Sequence, residues 1–137
     1  MRCLFADTSY WVALFYPRDR WHARALSLSR TFDDCRLYTT DEVLAEFLTF
    51  CSGNVPHART DAVRLVQRVL TDPGITVLPQ TRASFLEALN FYASRPDKRY
   101  SLTDCIAMNV MRRERITEVL SNDRHFAQEG FTLVLDA

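Results

Sequence analysis

The chain has 137 residues, 47% hydrophobic and 25% charged, which predicts one globular domain over residues 1–137 and excludes a disordered chain. Its 17 basic and 17 acidic residues cancel, and zero net charge argues against bulk electrostatic binding to a long duplex. All the basic residues but Lys98 are arginines; genome composition accounts for that as well as local contacts to a few phosphates do.

Apolar runs such as Trp11 to Tyr16 are too short to span a membrane. The run between Arg2 and Asp7 is too short for a signal peptide. Cys3, Cys35, Cys51 and Cys105 are scattered, with no CxxC pair and no zinc-finger spacing. They read as reduced, mostly buried thiols, so a cytoplasmic protein is expected.

Along the chain, Cys3 to Ala6 is a short apolar run ending at Asp7, as in a buried parallel strand. Ser9 to Tyr16 predicts a helix stopped by Pro17, and Trp21 to Phe32 a second helix. Arg36 to Thr39 reads as the next strand. Thr39 is expected to cap a helix, with Glu42 in capping-box position and an end near Gly53. His57 to Thr71 is amphipathic and closed by Pro73-Gly74. Ile75 to Leu78 is a strand, Thr81 to Ala93 a helix, and Ser101 caps a further helix to about Arg115. Thr117 to Leu120, Asp123 to Glu129 and Phe131 to Leu135 read as strand, helix and strand. The alternation predicts an α/β fold, a three-layer α/β/α arrangement around a central, mainly parallel sheet.

In such sheets the site lies beyond the carboxyl ends of the strands. Asp7 follows the first strand and Asp123 follows the fourth, while Asp104 lies in the first turn of a largely apolar helix. At ~100° per residue, Glu46 borders the apolar arc of Val43, Leu44, Phe47, Leu48 and Cys51, whereas Glu42 turns further toward solvent. Glu46 is therefore the expected fourth acid. Each acid alone has an ordinary explanation as a helix cap or dipole partner. Together at one rim, like charges repel unless a divalent cation compensates them. Oxygen ligands without a His or Cys cluster suit Mg²⁺ or Mn²⁺, the ions of phosphodiester hydrolysis.

At these residues the sequence resembles the PIN-domain nucleases. Asp7-Thr8-Ser9 after an apolar strand is similar to their opening motif, and Glu46 within Leu44-Ala45-Glu46-Phe47-Leu48 to their second acid. Leu102-Thr103-Asp104 is similar to the third motif. Ser121-Asn122-Asp123-Arg124-His125-Phe126 resembles the last, with Ser for the usual Thr. Trp21-His22-Ala23-Arg24-Ala25 is similar to a further family segment, although helix packing explains His22 equally well. The resemblance spans the chain. It implies a metal-dependent endoribonuclease in which Asp7, Glu46, Asp104 and Asp123 hold Mg²⁺ or Mn²⁺, with Thr8, Ser9, Thr103 and Asn122 steadying the carboxylates. Small members of the family resemble VapC-type toxins, which implies a VapB-like antitoxin and a homodimer.

Lys98, Arg99 and Tyr100 precede Asp104 in a loop and are candidates for phosphate contact and base stacking, a solvated loop being the plainer explanation. The aromatics Tyr10, Trp11, Phe15, Tyr16 and Trp21 have helical spacing and are expected in the core and at a partner surface. A receiver-like phosphoacceptor would need a lysine beyond a late strand, and Lys98 follows a helix instead. Two further functions compete with a toxin: a PIN nuclease of RNA processing or decay, and a catalytically inactive, metal-free PIN-like binding module.

Overall fold

A computed structural model of the chain describes residues 1–53 and 56–136. The elements run β1 (Arg2–Ala6), α1 (Thr8–Phe15), α2 (His22–Ser29), β2 (Cys35–Thr40), α3 (Asp41–Phe50), α4 (Pro56–Thr71), β3 (Ile75–Leu78), α5 (Arg82–Ala93), α6 (Leu102–Arg113), β4 (Glu118–Leu120), α7 (Arg124–Gln128) and β5 (Thr132–Leu133). The strands form one sheet in the order β3-β2-β1-β4-β5, and every pairing is parallel.

Successive strand residues point to opposite faces, yet Leu4, Phe5 and Ala6 are all fully buried. Helices therefore cover both faces of the central strand, the arrangement expected of a parallel sheet with apolar runs for strands. Strand order turns back at β1: the chain leaves it toward β2 on one side and returns to β4 on the other. The crevice where such a reversal occurs is the usual ligand position in open α/β sheets. Asp7 and Ser121 follow the two strands that flank it, and the Asp7 N–H donates to the Leu120 carbonyl at 3.2 Å.

Several boundaries move for physical reasons. Thr39 does not cap α3. Strand β2 runs one residue further, pairing Thr40 with Leu78, and Thr40 Oγ1 accepts from the Val43 N–H. The third helical position is then Val43, which cannot complete a capping box, so Glu42 has no capping role. Thr39 is fully buried; its hydroxyl donates to the Ala6 carbonyl and accepts from the Trp11 indole. Helix α2 stops at Ser29 rather than Phe32. The hydroxyls of Ser29 and Thr31 donate to carbonyls three residues back, a local alternative to continuing the helix. Strand β5 shrinks to two residues.

Ser101 caps α6 as expected, and Thr81, expected as the first residue of α5, caps it instead, each in a capping box. Tyr10 and Trp11 lie in the core, Phe15 packs edge-on against Phe47, and Tyr16 against Phe50. His22 Nδ1 sits 2.7 Å from the Ala13 carbonyl, tying α2 to α1 as the packing explanation requires. The four cysteines are free, with Cys51 and Cys105 buried.

Candidate active site

Beyond the carboxyl ends of β1 and β4 opens a cavity of about 670 Å³, whose lining includes Asp7, Glu46, Asp104 and Asp123. The four acids come from four elements, so only the tertiary fold joins them. Glu46 lines this cavity, while Glu42 lines a different groove between α3, α5 and α6. The two glutamates face different openings, but their exposure runs against the expectation: Glu46 is exposed and Glu42 half-buried, so the cavity each lines, and not nearness to the apolar arc, tells them apart.

Asp7 sits at the N-cap position of α1, but its side chain caps nothing. The residue is 5% exposed, and its Oδ2 accepts from Ser121 Oγ at 2.8 Å. The Ser121 hydroxyl also accepts from Ser9 Oγ at 3.3 Å and from the Asp123 N–H at 3.0 Å. Its one donor and two acceptor sites are all committed. Ser9 Oγ in turn accepts from the Asn122 N–H. These bonds lock the end of β1 to the segment after β4, and serine supplies the bonds a threonine hydroxyl would make.

Burial pushes the Asp7 carboxyl up to about 7, opposed by the Ser121 hydroxyl and the Thr8 backbone and reinforced by the charges of Asp104 and Glu46. Desolvation dominates because an ionised carboxylate loses most of its hydration there. Thr8 Oγ1 is buried in the same cavity wall with no hydrogen-bond partner among the described residues. A buried hydroxyl without a partner and a carboxylate burdened by its neighbours both fit a site that takes a cation and its water.

Asp104 is buried in the first turn of α6. Its Oδ2 accepts from the Ser101 N–H at 3.1 Å, while its own N–H donates to Ser101 Oγ at 3.0 Å. Asp123 caps α7, its Oδ1 accepting from the His125 N–H at 3.0 Å. For these two acids the capping explanation and the site placement hold together: the caps fix the carboxylates at the rim.

The sequence-predicted supports divide. Thr8, Ser9 and Asn122 line the cavity. Thr103 lies on the groove with Glu42, Gln80 and Phe85 and bonds to no carboxylate among the described residues. Adjacent helical side chains point ~100° apart, so Thr103 cannot share the direction of Asp104. Lys98 and Arg99 are exposed in their loop and do not line the cavity.

Tyr100 is corrected outright. It is 4% exposed, its hydroxyl donates to Glu129 Oε1 at 3.1 Å, and its ring packs on Phe91 and His125. A ring buried in this way has no face for a base. Glu129 also receives Arg95 at 2.6 Å and Arg112 at 2.8 Å, forming a brace between α6, α7 and the loop before α6.

Val12, Asp19, Phe50, Arg124, His125 and Gln128 also line the cavity with no site role expected from the sequence, and Arg124 and His125 flank the acids most directly. Arg124 is the arginine in the cavity lining. His125 Nδ1 lies 3.2 Å from Asp104 Oδ2 and 3.3 Å from Asp123 Oδ1. One donor atom from each of Asp104, Asp123 and His125 falls within 4.8 Å of the others, so an imidazole joins what the sequence presents as an oxygen-only cluster. The available signal was the position of both residues just after Asp123, the N-cap of a short helix.

The PIN domain family model matches residues 4–131. Among solved structures, VapC20 of Mycobacterium tuberculosis, described as a sarcin–ricin loop cleaving toxin, superposes with a TM-score of 0.84 at 26% identity, over 96% of this chain and 98% of that one. FitAcB from Neisseria gonorrhoeae superposes with a TM-score of 0.65 at 15% identity over 96% and 97% of the two chains, a likeness of fold alone. No curated protein sequence gives a significant match. With nearly its whole length matched and the acids gathered at the β1–β4 crevice, the chain belongs to the PIN domain family.

Proposed function

We propose that the protein is a metal-dependent endoribonuclease that hydrolyses RNA phosphodiester bonds as the toxin of a toxin–antitoxin pair. The observation that carries this reading is the cavity at the β1–β4 crevice, where Asp7, Glu46, Asp104 and Asp123 converge on a wall holding a buried carboxylate and an unpartnered hydroxyl. The full-length likeness to VapC20 supports the choice of RNA and the toxin role.

In this reading the four acids hold Mg²⁺ or Mn²⁺, directly or through water. Such an ion supplies a charge that makes water a stronger nucleophile and offsets charge developing on the leaving oxygen. The chain's own groups prepare the site. The Ser121 hydroxyl donates to Asp7 and so favours its ionised form, the form a cation needs. Capping bonds keep Asp104 and Asp123 pointed at the rim, which limits the reorganisation required on binding. Arg124, which lines the cavity where Lys98 and Arg99 do not, meets a phosphate in this reading by exchanging its 3.5 Å contact with Asp136.

A VapB-like antitoxin, a homodimeric state and a cytoplasmic setting belong to the same proposal. No helix among the described residues is long and apolar enough to cross a membrane.

The test is cleavage of labelled RNA, both unstructured single strands and a sarcin–ricin loop hairpin, with Mn²⁺, Mg²⁺ or EDTA. The Asp104→Asn variant controls for a contaminating nuclease. Metal-dependent cutting that the variant loses is the expected result. Equal cutting by the variant, or none by either protein despite bound metal, refutes the nuclease reading.

A further inference from the structure

His125 packs on Tyr100 and hydrogen-bonds Asp104 Oδ2 through Nδ1, which sets its imidazole between two acids of the site. Asp104 Oδ2 already accepts from the Ser101 N–H, and Asp123 Oδ1 from the His125 N–H. Each oxygen thus already has one backbone donor, with room for a second partner. The ring brings Nδ1 to 3.2 Å from one and 3.3 Å from the other.

These separations approach the size of a coordination edge. An octahedral ion with bonds of ~2.0–2.1 Å places neighbouring ligand atoms ~2.8–3.0 Å apart, so a small inward movement of the donor atoms closes the site. The ring is also oriented by groups other than the two carboxylates. Tyr100 packs against it with centroids 5.4 Å apart, Glu129 fixes the Tyr100 hydroxyl, and Arg95 and Arg112 fix Glu129. A ring packed against a braced neighbour is restrained in position when a cation enters between the donor atoms.

We propose that His125 Nδ1 is a ligand of the metal beside Asp104 and Asp123, so that the site is a mixed nitrogen–oxygen one that selects first-row transition ions over Mg²⁺. The inference rests on the metal-dependent reading above and adds to it a ligand and a selectivity. Mg²⁺ favours oxygen ligands, whereas imidazole suits the transition ions.

The experiment is electron paramagnetic resonance on the full-length protein titrated with MnCl₂. Loss of the free-ion signal counts bound Mn²⁺, and echo modulation at nitrogen frequencies reports imidazole bound directly to it. The expected result is nitrogen modulation that changes when histidine is labelled with nitrogen-15 and vanishes in His125→Ala, with Mn²⁺ affinity falling at least ~10-fold. His125→Asp restores an oxygen ligand, so it keeps a bound ion, loses the modulation and lowers the preference for Mn²⁺ over Mg²⁺. Bound Mn²⁺ without nitrogen modulation, or modulation that survives in His125→Ala, overturns the ligation while leaving the nuclease reading intact. A wild-type protein that binds neither Mn²⁺ nor Mg²⁺ overturns both.

Discussion

Replacing Asp7 by Asn isolates the energetic cost of burying an ionisable acid at the site, to which the neighbouring acids add. The Asp7 carboxyl is pushed up to about 7 in the folded protein, first by burial, against ~3.9 in an unfolded chain. The folded state therefore holds the Asp7 proton more tightly than the unfolded state does. Below about pH 4 the group is protonated in both states and costs nothing. Between about pH 4 and 7 ionisation favours the unfolded chain, and the penalty is complete above about pH 7. A separation of ~3 units corresponds to roughly 4 kcal/mol, of which roughly 2–3 kcal/mol accrues between pH 5 and pH 8. Asn cannot ionise, yet its carbonyl still accepts from Ser121, so the variant lacks this slope. The assay is urea unfolding of both proteins in EDTA across that range, read as the difference in free energy at each pH. The advantage of Asp7→Asn should grow by roughly 2–3 kcal/mol from pH 5 to pH 8. Parallel stability curves would refute the reasoning, because they would mean that Asp7 ionises in the fold as easily as in water.

The same cluster makes metal stabilising. Saturating Mn²⁺ or Mg²⁺ should raise the melting temperature of the wild type, more at pH 8 than at pH 6 because Asp7 must lose its proton, and a differential scanning run at the two pH values checks this. Ser121→Ala removes the donor to Asp7 and the acceptor for Ser9 and the Asp123 N–H. It should cost about 1–3 kcal/mol in urea unfolding and weaken Mn²⁺ binding, whereas Ser121→Thr should restore both. Phe126 is fully buried beneath the helix that carries Asp123 and His125. Phe126→Ala should cost about 3–5 kcal/mol by calorimetry, and a loss under 1 kcal/mol would show that α7 is not anchored there.

Local chemistry made much of the molecule readable from the chain. Apolar runs marked the strands, and Ser101 and Thr81 marked the helix starts, because a cap bonds within three residues and needs no distant partner. Asp7, Asp104 and Asp123 were legible for the same reason, as acids placed next to strand ends and helix starts. Glu46 lines the cavity as expected, but not for the reason the helical arc offered, because it is more exposed than Glu42. The errors arose where a long-range contact outweighed a local signal. Thr39 left its expected cap to bond Ala6 within the sheet, and Tyr100 turned inward to Glu129, 29 positions along the chain. Thr103 is a different case, since the helix itself turns it ~100° from Asp104 onto the neighbouring groove.

Whether His125 meets Asp104 depends on how α7 docks against α6, and whether Ser121 holds Asp7 depends on β4 returning beside β1 across 114 positions. Sequence spacing encodes the repeat of a helix or strand, and thereby which residues can share a face. The strand order β3-β2-β1-β4-β5, and with it the crevice that gathers the acids, is set by which apolar faces bury one another. That choice is a property of the whole packed chain, because burial is non-directional and no single segment carries it.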